Sequence, residues 1–223
     1  MDESTVYPIP VVVHREVLKT QRSSMPTIGA YLAETQQVLA GMDESSIEQN
    51  VRLLIAAWKQ RRQVFIVGNG GSAATASHLA NDLSKATILP GKPRIKAIAL
   101  TDNVSLITAW ANDTSYENVF REQLENLLEK EDVVLGISAS GNSPNILQAM
   151  EYARGRGAVT IGWTGRDGGR LKALVRLAVC APADDVGMIE SCHLVLDHLI
   201  TTEVLRLIST DGSLENAQND SAW

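Results

Sequence analysis

Two histidines and two carboxylates stand where helices could bring them together. His78 and Asp82 lie four apart in an alanine-rich stretch, so on a helix both point to one face. Glu190 and His198 lie eight apart near the end of the chain, roughly 80° around a helix of 3.6 residues per turn. Two imidazoles and two carboxylates suit zinc or a similar divalent ion. Each also has a plainer reading: Glu190 as a first-turn acid favouring the helix dipole, His78 as a core histidine. His193 and Asp197 compete for the same role, because Glu190, His193 and Asp197 share an i, i+3, i+7 face.

Two loops could hold an anion. Gly68-Asn69-Gly70-Gly71-Ser72 follows an apolar run and opens a helical one, so glycines permit a sharp turn and close approach while the helix start offers free N–H groups. It satisfies G-x-G-x-x-A, but around Ile88–Pro93 there is no acid to hold a ribose, which disfavours a dinucleotide. A Lys-Ser/Thr ending is also missing, which excludes a nucleotide P-loop. The second loop, Gly136 to Pro144, carries Ser138, Ser140 and Ser143, with Ser143 placed to cap a helix and Pro144 in its first turn. Three hydroxyls beside a helix start make a neutral cradle for a phosphate. Together the two loops predict a sugar-phosphate site.

The elements that position these groups alternate. Val64–Val67, Ile95–Leu100, Val133–Ile137, Val159–Trp163 and Leu177–Cys180 read as strands, mostly apolar on both faces. Helices are predicted over Ala73–Lys85, Val104–Ala111, Val119–Leu128, Ser143–Arg156 and Met188–Ile208. That order predicts an open parallel sheet under right-handed crossovers, with ligands beyond the carboxyl ends of its strands. From Pro26 to Lys59 two helical patterns form a hairpin broken at Gly41; Ser45 and Glu48, or Ser46 and Gln49, fit a capping box for the second. Residues 1–25 read as an extension, 26–208 as the domain, and 209–223 as a polar, mobile tail.

Composition narrows the function. Twenty Lys+Arg against 26 Asp+Glu give a net charge of −6, against general nucleic-acid binding. No apolar run approaches a membrane span, and the acidic start does not read as a signal peptide. Cys180 and Cys192 make no disulfide framework and fit a reducing cytoplasm.

GNGGSA with H-x-x-x-D after it, the AND at Ala111–Asp113, GISASGNSPN, GWTGRDGG and two histidines five apart in the last helix resemble the sugar isomerase (SIS) domain. More narrowly, they resemble its phosphoheptose isomerase branch, over roughly Ile28 to Ile208. The resemblance implies a three-layer αβα sandwich with a five-stranded parallel sheet, a homotetramer with sites between subunits, and interconversion of sedoheptulose 7-phosphate with D-glycero-D-manno-heptose 7-phosphate. By motif, Asn69, Gly70, Gly71, Ser72, Asn112, Asp113, Ser138, Ala139, Ser140 and Ser143 fall on substrate-binding positions. His78, Asp82, Glu190 and His198 fall on the metal ligands, with zinc the expected ion, and Asp82, Glu190 and His198 on the catalytic groups. The family usually has Glu where this chain has Asp82, Gln where it has Glu190, and Arg where it has Met188. Asp82 then carries the proton, or remains a ligand while Glu190 becomes the base. The alternatives are a non-catalytic SIS-domain protein, such as those associating with the replication initiator DnaA, and an isomerase of another phosphorylated sugar.

Overall fold

Strands that are apolar on both faces need a helical layer on each side. The computed structural model, which describes residues 27–211, meets that need with five parallel strands. They are β1 (Gln63–Gly68), β2 (Lys96–Ala99), β3 (Val133–Ser138), β4 (Val159–Gly165) and β5 (Leu177–Ala181). Their order is β2-β1-β3-β4-β5, so the winding reverses between β1 and β3. The register pairs Gly68 with Ile137, Ser138 with Thr164, and Gly165 with Ala181. The carboxyl ends therefore line up, and the loops after β1, β3 and β4 leave from one edge.

The helices are α1 (Ile28–Ala40), α2 (Glu44–Lys59), α3 (Gly71–Lys85), α4 (Val104–Asp113), α5 (Arg121–Leu127), α6 (Pro144–Gly155), α7 (Gly169–Leu174) and α8 (Val186–Thr210). The chain divides into two compact units, up to Gln36 and from Gln37 onward. In the first, Thr27 caps its helix by accepting from Ala30 N–H at 3.2 Å. In the second, α2, α3 and α8 contact the sheet on one face, while α6 and α7 pack on the other with Phe65, Val67, Phe120, Leu124, Ile146 and Met150 in a continuous apolar cluster. Each such side chain, once buried, contributes about 1.5–3 kcal/mol.

Several boundaries differ from the sequence reading. The cap of α2 is Asp43, whose carboxylate accepts from Ser45 N–H at 3.1 Å. Ser46 instead donates its hydroxyl to the Asp43 carbonyl, so neither serine caps. Asp43 stands just before the first helical residue, in the extended conformation a cap needs, whereas Ser45 and Ser46 already lie inside the first turn. The helix expected over Val119–Leu128 covers only Arg121–Leu127, with a 3₁₀ turn at Tyr116–Asn118 ahead of it, and the glycine-led α7 is an addition to the expected elements. Helix α8 starts at Asp185, which accepts from Met188 N–H at 2.8 Å, and continues through Ser209 and Thr210. The expected extension over 1–25 and the tail from Gly212 onward lie outside the described residues.

A polar cluster is buried between α2, α8 and β4. Trp163 donates its indole N–H to Asn50 Oδ1 at 2.7 Å, and His193 Nε2 lies 3.1 Å from the Thr164 carbonyl. Burial pushes the His193 pKa down from 6.5 to about 4, opposed by its bond to Thr164. Between those values the unfolded chain binds a proton and the folded one does not, so stability falls as pH drops through that window. The whole shift corresponds to about 3 kcal/mol. Replacing His193 with Gln is expected to remove this contribution. Urea melts at pH 7 and pH 4 should show the variant gaining on the parent as pH falls. Asp197, raised to about 6 chiefly by burial, acts in the opposite sense, so the His193 effect is read as the difference between the two proteins.

Candidate functional site

Loop one turns out of β1 through Asn69 and Gly70 into α3. Gly71 leaves room for its neighbour: a β-carbon there would overlap the carboxylate of Glu190, which would have to move aside. Glu190 thus lies flat against the start of α3, facing a cavity of about 330 Å³ that Thr75 and His78 also line. Ser72 is buried behind the loop, while Gly70 and Gly71 are exposed.

The loop after β3 carries the three serines. Ser143 is the N-cap residue of α6 and Pro144 opens the helix, as the sequence reading expects. Its hydroxyl makes no capping bond, however; it meets the Ser138 hydroxyl at 3.0 Å. Pro144 has no N–H and the Ile146 N–H already bonds Asn145 Oδ1, so of the first helical positions it is the Asn145 N–H that the uncapped start of α6 leaves for an anion. Ala139 and Ser140 continue the loop, and Ser140 Oγ accepts from Asn142 N–H at 3.2 Å.

The glycine-rich segment after β4 braces this loop. Asn142 Oδ1 accepts from Arg170 N–H at 3.1 Å, and the Gly141 carbonyl accepts from Leu171 N–H at 2.9 Å. Gly141 has φ of 62°, and a β-carbon on it would collide with the Gly168 carbonyl. Replacing Gly141 with Ala is expected to cost about 1–3 kcal/mol and to force the serine loop away from its brace. A lower melting temperature together with at least tenfold weaker sugar-phosphate binding in a titration is the expected pair of results.

Helices α3 and α8 bring three of the four expected ligands together. His78 Nε2 lies 3.3 Å from His198 Nε2 and 3.5 Å from Asp82 Oδ2, and donor atoms of all three fall within 4.8 Å of one another. Asn81 donates to the other Asp82 oxygen at 3.0 Å, which leaves Oδ2 turned to the histidine. Around a tetrahedral zinc ion with bonds of about 2.0–2.2 Å, neighbouring donor atoms stand roughly 3.3–3.5 Å apart. The two separations from His78 Nε2 match that edge, and the third lies within 4.8 Å. The donor set therefore fits a divalent ion such as zinc, held by His78, Asp82 and His198.

Glu190 is not among the three. Eight residues of helix rise about 12 Å, so Glu190 and His198 reach different points along α3, one at Gly71 and the other at His78. His193 and Asp197, the competitors on α8, turn inward: both are buried, and the Asp197 carboxylate takes only a 3.4 Å bond from Thr201. Asn112 and Asp113 lie exposed at the end of α4, bonded to each other at 2.9 Å. The sequence reading did not single out Asn145 or Tyr116. Asn69 and Asn145 exchange two amide hydrogen bonds of 2.8 Å, and the Tyr116 hydroxyl donates to Asn69 Oδ1 at 2.9 Å. Asn145 sits within the quoted GISASGNSPN motif; nothing in the sequence marked Tyr116.

Comparison with known proteins bears on the family and the fold. The SIS domain profile matches residues 30–165. A phosphoheptose isomerase from Helicobacter pylori strain P12 is 42% identical over 157 residues, which cover 70% of this chain and 81% of that protein. The structure of phosphoheptose isomerase GmhA from Neisseria gonorrhoeae superimposes with a TM-score of 0.73 at 28% identity, covering 84% of this chain and 98% of that one. A phosphoheptose isomerase structure from Francisella tularensis gives the same TM-score at 26% identity, covering 86% and 97%.

Proposed function

We propose, from the premise that the chain belongs to the SIS domain family and is a sugar-phosphate isomerase of its phosphoheptose isomerase branch, that it interconverts sedoheptulose 7-phosphate and D-glycero-D-manno-heptose 7-phosphate with a divalent ion, zinc, as cofactor. The observation that carries the metal is the spacing of His78, Asp82 and His198. An ion held there would supply positive charge beside the sugar's carbonyl oxygen.

The chain's own groups do the rest. Ser138, Ser140 and Ser143, with the start of α6, bind the phosphate, and that binding energy positions the open-chain sugar. Asn69, Gly70 and Gly71 line its carbon chain. Gly71 and His78 are seven residues apart on α3, a rise of about 10 Å, the scale of an extended sugar phosphate. Glu190, outside the ligand group and facing the cavity it shares with His78, takes the proton from one carbon and returns it to its neighbour through an enediolate. Asp82 then acts as ligand. With its Nε2 3.3 Å from His78 Nε2 inside the proposed ligand group, His198 holds charge rather than donating from that nitrogen.

Homotetramer assembly belongs to the same reading. Helix α8 exposes Leu194, Val195 and Leu199, and Val195 and Leu199 line a groove of about 660 Å³ with Ile47, Val51 and His198. A second copy covering that groove would also screen the His198 side of the site. Among the described residues no helix is long and apolar enough to cross a membrane, and the acidic balance disfavours nucleic acid. A cytoplasmic enzyme is the matching proposal. The test is incubation with pentulose, hexulose and heptulose phosphates, with and without chelator. Aldose phosphate formed from the heptulose, and lost on chelation, supports the proposal; no aldose from any of them overturns it.

A further inference from the structure

Asn81 is a poor choice for its position on local grounds alone. It stands exposed inside α3, where asparagine favours a helix less than alanine, lysine or glutamate would. Consecutive residues on a helix also point about 100° apart, so nothing in the backbone turns the side chain of Asn81 towards that of Asp82. The two nevertheless meet, with Asn81 Nδ2 3.0 Å from Asp82 Oδ1. The direction of that bond follows from the acceptor. A carboxylate that ligates a metal has no hydrogen to give, so the Asn81 amide must present its NH₂ end.

What the bond does depends on the freedom of Asp82. Its backbone is fixed by α3, but the last torsion of an aspartate side chain is broad and roughly two-fold, so the carboxylate rotates at little cost. Rotation would bring both oxygens towards an ion, or neither. With Oδ1 tied to Asn81, Oδ2 is the oxygen that lies 3.5 Å from His78 Nε2, within the group of donor atoms that includes His198. The Asp82 side chain is only 18% exposed, so water competes weakly for the bond. Asn81 also lines a cavity of about 870 Å³ with Ser77, Ser84 and Asp102. Ser84, on the same wall, bonds the Ala97 carbonyl at 3.3 Å instead.

We infer that Asn81 is a positioning residue for the metal site: it holds the Asp82 carboxylate in the rotation that offers an ion a single oxygen. The inference rests on the proposed ligand group of His78, Asp82 and His198, and adds to it a side chain that acts only through Asp82. Hydrogen bonds that orient a metal ligand from behind change metal affinity by about 10–100-fold when removed. This bond joins two neighbours on one helix, one of them exposed, which puts it at the lower end of that range.

The experiment strips the full chain of metal and titrates it with zinc in competition with a chromogenic chelator, for the parent, Asn81→Leu and Ser84→Ala. Leucine removes the donor and favours a helix more than asparagine does, so the metal-free variant should melt no lower than the parent. The expected result is zinc bound about 10-fold more weakly by Asn81→Leu and with unchanged affinity by Ser84→Ala. Cobalt loaded in place of zinc gives a second readout, because its visible bands follow the number and geometry of the ligating atoms. Those bands should differ between the parent and Asn81→Leu, where the freed carboxylate can supply both oxygens. Equal zinc affinity in the parent and Asn81→Leu overturns the inference. So does an equal loss in Ser84→Ala, since the cavity wall rather than the bond to Asp82 would then set the affinity. Weaker zinc binding with identical cobalt bands overturns it too, because the carboxylate would have kept its rotation. A parent chain that takes up no zinc removes the metal proposal and this inference together, whereas zinc taken up equally by parent and Asn81→Leu removes the inference alone.

Discussion

Glu190→Gln is expected to lower kcat by about 10²–10⁴ while leaving the bound metal in place. Both halves follow from where the structure puts the carboxylate. Glu190 rests on Gly71 and faces the cavity near His78, outside the group formed by His78, Asp82 and His198. Gln keeps the size and hydrogen-bonding shape but cannot accept the proton. The resemblance to the phosphoheptose isomerase branch implies Gln at this position together with Glu at the position of Asp82, so a companion variant sharpens the prediction. Combining Asp82→Glu with Glu190→Gln restores the usual pairing and moves the base back to α3. That double variant should recover much of the activity lost by Glu190→Gln alone. Steady-state kinetics and metal analysis on the three proteins provide the check. Full activity in Glu190→Gln would remove Glu190 from the proton transfer.

His198→Ala is the second large effect. With one of the three proposed ligands gone, the purified protein should carry no stoichiometric metal where the parent does, and turnover should fall by about 10³. His198 is exposed, so the fold should survive and the melting temperature of the metal-free protein should change little. His193→Gln is the internal control: it alters a buried histidine on the same helix and should keep the metal. Retention of metal by His198→Ala, or its loss from His193→Gln, would contradict the ligand assignment. The two replacements separate the functions that Glu190 and His198 hold on one helix.

How much of this was legible in the sequence depends on the range of each interaction. The strands were readable because Val64–Val67 and Val133–Ile137 are apolar on both faces, which only a covered parallel sheet explains. The pairing of His78 with Asp82 was readable because it is local, one turn of one helix. Choosing His198 over His193 was not local. Both lie on α8, and which one faces α3 depends on how two helices cross. The separation of Glu190 from the other three was hidden for the same reason: spacing along α8 is visible in the sequence, but the points it meets on α3 are not. Ser143 was placed correctly as a cap residue, yet its hydroxyl bonds to Ser138 across the loop. Asp43 took the place of two serines that fitted the template equally well, because the helix begins at Glu44 and leaves both serines inside its first turn. Tyr116 could not be found at all, since its partner Asn69 lies 47 residues earlier.

Label from solvent gives the most direct test of proton transfer through an enediolate. The reaction is run in heavy water with sedoheptulose 7-phosphate, and the aldose product is examined by proton NMR for deuterium on the carbon next to its aldehyde. Proton transfer by a carboxylate predicts deuterium at that carbon, at least in part, and no labelled product from Glu190→Gln within the same time. Product labelled at that carbon and formed by Glu190→Gln at the parent's rate would contradict the role given to Glu190.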